Sequence, residues 1–140
     1  MSLSFGFFSD AALTTPITTP LQFLQAISSP VAEDKTIYFG SAVASRVCEA
    51  DSNPGVDAVT VSIVDSAGGS GSPATDVKLA LSSVGLGSAT GGATLALPAT
   101  INSSSGNAVP IYVRVLDSTH AGGLNLDLSL QTNTLRETPV

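Results

Sequence analysis

Val109-Pro110-Ile111-Tyr112-Val113-Arg114-Val115-Leu116 is the stretch that decides the fold. Ile111, Val113 and Val115 fall on one side of an extended chain, with Tyr112 and Arg114 on the other. That period of two belongs to a half-buried β-strand, and valine, isoleucine and tyrosine suit its pleated surface. Downstream, Asp117 to Gly123 turns the chain, and Leu124, Leu126, Leu128 and Leu130 alternate with Asn125, Asp127, Ser129 and Gln131 in a closing strand. Upstream the same pattern recurs in Leu95 and Leu97, in Val77, Leu79 and Leu81, and in Val59, Val61 and Ile63. Thr36 to Ala42, with Ile37, Tyr38 and Phe39, is a further strand; Val43 to Glu49 either continues it past a bulge at Gly40 or stands apart.

The connections carry turn chemistry. Ser52-Asn53-Pro54-Gly55 is a turn, Ser66 to Ser72 a Gly/Ser loop, Gly85 to Gly92 a flexible glycine-rich connection and Asn102 to Asn107 a polar turn. Some six to eight strands joined in this way predict an all-β fold, a two-sheet antiparallel β-sandwich. Jelly-roll and immunoglobulin-like topologies both satisfy the pattern.

Residues 1–34 read differently, as an extended N-terminal arm to the β-sandwich domain of residues 35–140. Leu3, Phe5 and Phe7 alternate, and Pro16 and Pro20 hold the preceding threonines extended. Leu21 to Ile27 makes one helical turn or another extended piece, ended by Ser29-Pro30. Three of the seven aromatic residues lie in the first eight positions, a large apolar load for a terminus that would otherwise fray. Phe5, Phe7, Phe8 and Ile17 are therefore the candidate partner-contacting residues. Their two destinations are the chain's own core or the exposed strand edge of a neighbour.

Composition excludes several functions. Charged residues are only 11% of the 140, against about a quarter in ordinary soluble domains, so Ser, Thr, Ala, Gly and Asn must build most of the surface. Such a surface lets another protein approach closely at little desolvation cost. The net charge of −6 and the singly scattered Lys35, Arg46, Lys78, Arg114 and Arg136 argue against nucleic acid as a partner. No run reaches the ~18 apolar residues of a membrane span. No cation precedes Lys35 to flank a secretory signal, which leads to an expectation of synthesis in a host cytoplasm without export. The single Cys48 has no intramolecular partner and reads as a buried free thiol.

Catalytic chemistry finds little footing, and no cofactor is expected. Asp117, Ser118 and His120 supply the residue types of a hydrolytic triad, but they share one turn, where two successive in-line hydrogen bonds are hard to make. No Gly-x-Ser-x-Gly elbow occurs. Asp51, Asn53 and Asp57 place oxygen ligands at alternate positions like the first half of a calcium loop. Val56 stands where that loop needs glycine, Pro54 stiffens its middle and Ser62 replaces the closing Glu. A β-turn accounts for the segment without metal. Gly85 to Gly92 leads into a strand rather than into a helix N-terminus that would hold phosphate.

Phe8-Ser9-Asp10-Ala11-Ala12-Leu13, Val59-Thr60-Val61-Ser62-Ile63, Tyr112-Val113-Arg114-Val115 and Ala121-Gly122-Gly123-Leu124, in that order, resemble the small cement, or capsid decoration, proteins of tailed bacteriophages. The resemblance runs loosely from Phe8 to Leu130. It implies a jelly-roll β-sandwich on the outside of an icosahedral head, present in many copies as a homo-oligomer and bridging major capsid protein subunits in the virion. The long proline-containing arm and the loose Gly68 to Pro73 segment depart from that pattern. A tail, baseplate or fibre component shares the composition, although a trimeric fibre should show longer repeats. A carbohydrate- or host-surface-binding β-sandwich module is the other alternative; it would normally display aromatic rings, and this chain has no Trp.

Overall fold

Val109–Val115 is the strand around which the largest sheet is built. A computed structural model describes residues 3–24, 29, 31–66, 73–116 and 128–140. Its strands are β1 (Gly6–Phe8), β2 (Glu33–Gly40), β3 (Arg46–Ala50), β4 (Thr60–Asp65), β5 (Val77–Ala80), β6 (Leu95–Ala96), β7 (Thr100–Asn102), β8 (Val109–Val115), β9 (Leu128–Thr132) and β10 (Leu135–Pro139). Among the described residues there is no α-helix, only short 3-10 turns at Ala74–Asp76, Val84–Gly87 and Ser105–Asn107. The fold is all-β.

Every pairing is antiparallel, and the strands divide into three sheets of order β1-β2-β8-β5, β10-β3-β7 and β6-β4-β9. β8 pairs with β2 from Glu33↔Val115 to Phe39↔Val109 and with β5 from Val77↔Val115 to Ala80↔Tyr112. At Pro110, β8 therefore has a strand on one side only, where a missing N–H is tolerated. The expected alternation holds: Ile111 and Val113 are buried, and Tyr112 and Arg114 face outward, half-exposed. All three sheets contribute to one core cluster, with Ile37, Phe39, Val77, Leu79, Ile111 and Val113 from the first, Cys48 and Ile101 from the second and Val61 from the third.

One open alternative is decided and two sequence expectations are corrected. Residues 43–49 do not continue β2 past a bulge, because the chain leaves the first sheet at Ser41 and enters the second at Arg46. Ser41 is fully buried with its Oγ accepting from Val43 N–H at 3.1 Å, and Ser45 takes a left-handed φ of 59°, which together turn the backbone.

Residues 85–92 are an ordered connection instead of a flexible one. Gly85 N–H donates to Ser82 Oγ at 3.0 Å, and the Val84–Gly87 turn packs on β5 and β8 with Leu86 fully buried. Gly91 lies against the backbone of Thr75, whose carbonyl oxygen is 2.1 Å from where a Cβ would stand. Backbone cannot yield as a flexible side chain would, so Gly91→Ala is expected to cost about 1–3 kcal/mol in urea unfolding. An unchanged midpoint would show that this approach is not tight in solution.

The second correction is β10, a strand beyond the Leu130–Gln131 end that the alternating leucines predict. Asn133 turns the chain from the third sheet into the second: its Oδ1 accepts from Thr60 N–H (3.0 Å) and its Nδ2 donates to the Ala58 carbonyl (3.1 Å). β10 then pairs with β3 from Leu135↔Ala50 to Pro139↔Arg46.

Candidate functional site

The arm is where the sequence concentrates apolar surface outside the regular strands, and its geometry follows from alternation and turn chemistry. β1 joins the edge of β2 with Gly6↔Gly40, Phe7↔Phe39 and Phe8↔Tyr38 in register. The Phe7 ring meets Phe39 edge-on, with centroids 5.4 Å apart at 61°, and the Phe5 ring tilts over it at 6.1 Å. Such aromatic pairs contribute roughly 0.5–1.5 kcal/mol beyond their burial.

After Phe8 the chain doubles back. Ser9 N–H donates to the Thr15 carbonyl and Ile17 N–H to the Phe7 carbonyl, both at 3.0 Å, and Phe8 and Pro16 form a bridge. Asp10 closes the turn: its carboxylate accepts from the N–H groups of Thr14 (3.0 Å) and Thr15 (2.9 Å) and from the Thr14 hydroxyl. Leu13, at the tip, takes a left-handed φ of 58° and is buried over Gly40, whose missing side chain leaves the room. At the other end, Ser4 N–H and Oγ donate to Glu137 Oε1 at 2.7 and 2.9 Å, and Ser4 Oγ lies 2.6 Å from Ser41 Oγ. The Glu137 side chain is only 5% exposed and has Arg46 Nε at 3.9 Å from its second oxygen.

Of the two destinations open to the aromatic rings, the structure has the chain's own body. Phe5 and Phe8 are buried, while Phe7 and Ile17 are half-buried against the core cluster. Phe5 and Phe8 thus have almost no surface left for a neighbour in this arrangement. The reading from residues missed Ser4, Ser41 and Glu137, which latch the arm, and Leu13, which plugs it down. An isolated Leu before two threonines gives no periodic signal, and a buried acid near a terminus has no local signature.

The oxygen-rich turn after β3 closes on itself. Ser52 Oγ donates to Asp57 Oδ2 at 2.7 Å, and the N–H groups of Val56 and Asp57 donate to the Asn53 carbonyl. Asp51, Asn53 and Asp57 are exposed, and no group of three His, Cys, Asp or Glu residues suited to a metal occurs among the described residues. Asp117, Ser118 and His120 lie outside the described residues, as do Gly68 to Ser72 and the Ala121 to Leu124 segment. A cleft of about 230 Å³ is lined by Thr75, Asp76, Lys78, Arg114 and Leu116; pockets for small molecules usually run from about 300 to 1,000 Å³.

Comparison of the chain with family models, curated proteins and solved structures finds no match. The site's chemistry therefore has to be read from its own groups.

Cys48 is fully buried in β3, and burial first, then the charges of Glu137 and Glu49, pushes its thiol up to about 11. It stays a neutral thiol at physiological pH, a poor nucleophile. A disulfide-exchange reagent is expected to leave the folded protein unlabelled and to label one thiol in denaturant. Fast labelling of the folded protein would contradict this burial.

Two carboxylates, the half-exposed Asp10 and the exposed Asp34, titrate low. The Thr14 hydroxyl and the Thr15 and Thr14 N–H groups hold Asp10 below the ordinary Asp value of 3.8, and the Arg114 guanidinium does the same for Asp34 through bonds of 2.8 and 2.9 Å. A depressed native pKa favours the folded state at pH values above the unfolded-chain value, and that contribution disappears as pH falls through the lower native value. Stability should therefore decline below about pH 4, and Asp10→Asn with Asp34→Asn should lower it at about pH 6 while flattening the decline. A thermal-unfolding series over pH in which the double variant tracks the parent would refute the assignment.

Proposed function

We propose that this chain is a capsid decoration, or cement, protein that binds the outer surface of an icosahedral phage head and bridges neighbouring major capsid protein subunits. The observation that carries the reading is a folded all-β body with few charged residues and several exposed apolar side chains. Charged residues are 11% of the chain, and Leu24, Val31, Val56, Val84 and Val140 are each at least 70% exposed. A surface of this kind packs against another protein surface with little desolvation penalty. Contacts that are weak singly gain strength when many copies sit on one shell. The resemblance of its segment order to that of decoration proteins supports the same reading.

In this reading the body is a β-sandwich of jelly-roll type, with β1-β2-β8-β5 as one layer and the two three-stranded sheets together as the other. The chain acts by binding, without catalysis or cofactor, and sits on the virion surface. Among the described residues no helix is long and apolar enough to cross a membrane.

The test is stoichiometry. In purified particles of the source phage, mass spectrometry should find this chain in hundreds of copies, approaching the number of major capsid subunits. A handful of copies would reassign it to a tail, baseplate or fibre, and absence from particles would favour a carbohydrate- or host-surface-binding module.

A further inference from the structure

The N-terminal segment folds back on itself as a hairpin. Its two legs, around Phe7 and around Pro16, are hydrogen-bonded to each other, and Asp10 closes the turn between them. It meets the rest of the molecule at a sheet edge, because β1 is the outermost strand of β1-β2-β8-β5. Undocking it would open one flank and break no interior ladder.

The connection is long. From Thr18 to Ala32 there are 15 residues, with an extended reach of roughly 50 Å. A globular chain of this length has a diameter of roughly 35–40 Å, so the hairpin can reach an adjacent copy's β2 edge.

We propose that this hairpin seats on β2 of a second copy of the chain, so that neighbours are tied together by exchanged arms. The receiving groups need no redesign. Phe39 meets Phe5 and Phe7, Gly40 leaves room for Leu13, and Glu137 with Ser41 takes Ser4, whichever chain supplies the arm. The exchanged form gives up the packing of Leu21 and Phe23 on the core margin and the Leu24 N–H bond to Glu33. A tether of this length holds its own hairpin at an effective concentration in the millimolar range. With the lost contacts added to that cost, exchange competes only where copies are at millimolar density or above and stays minor in dilute solution.

The proposal does not depend on the shell, and its test uses none. Isotope-labelled and unlabelled full-length chains are unfolded together, refolded at about 1 mM, and examined by isotope-filtered NMR for contacts between the Phe7 and Phe39 rings. Contacts between labelled and unlabelled chains that fade on dilution to the micromolar range are the expected result. Contacts confined to single chains at 1 mM, in monomers or in any dimer that forms, would overturn it.

Discussion

Phe39→Ala is expected to lower the free energy of unfolding by about 3–5 kcal/mol. Phe39 is 1% exposed, lies in β2 opposite Val109 on one side and Phe7 on the other, and receives the rings of Phe5 and Phe7. Its removal leaves a cavity that neighbours on three strands cannot fill, because each is fixed by its own ladder. Urea unfolding followed by circular dichroism measures the loss, and a domain of this size has only about 5–15 kcal/mol to lose. A change below about 1 kcal/mol would mean that the rings do not converge on this residue.

Deletion of residues 1–17 is expected to do at least as much harm. It removes Phe5, Phe8 and Leu13, all buried, together with Phe7 and Ile17, and uncovers Phe39 and Gly40. At roughly 1.5–3 kcal/mol for each buried side chain, the three alone contribute on the order of 5 kcal/mol or more. The truncated chain should show no cooperative melting transition, or one lowered by more than about 15 °C. Addition of a peptide covering residues 3–17 should partly restore it. A truncated chain that melts like the parent would show that the arm does not lie on the body in solution.

The strands that were legible in the sequence are those in which one face is buried and the other is wet. β8, β4 and β5 announce themselves because Ile111 and Val113, Val61, and Val77 and Leu79 recur at every second position. The elements that were not legible are held by pairing instead of patterning. β10 reads Leu135-Arg136-Glu137-Thr138-Pro139, and one apolar side chain in five residues leaves no period to detect. What makes it a strand is the five-residue register with β3 and a Glu137 side chain buried against two polar neighbours, Ser4 and Arg46. Leu86 was hidden by its glycine neighbours, which read as a loose loop and instead let a tight turn press one leucine onto β5 and β8.

The site was half visible. Aromatic residues crowded at one end signalled that the arm must bury itself somewhere, but period and composition do not say on which surface. That answer lay in the vacancies opposite the arm, at Gly40 for Leu13 and between Glu137 and Ser41 for Ser4, and a vacancy leaves no mark in a local stretch of sequence.

The bond between Ser4 and Glu137 joins residues 133 positions apart. At roughly 5–20 residues per second, a ribosome finishes the acceptor on the order of ten seconds after the donor has been made. For most of that interval the β2 segment, complete at Gly40, has been made while the latch residue has not. On a polysome, where sister chains at the same stage crowd together, that delay is a window in which an arm can find another chain's edge before its own is secured.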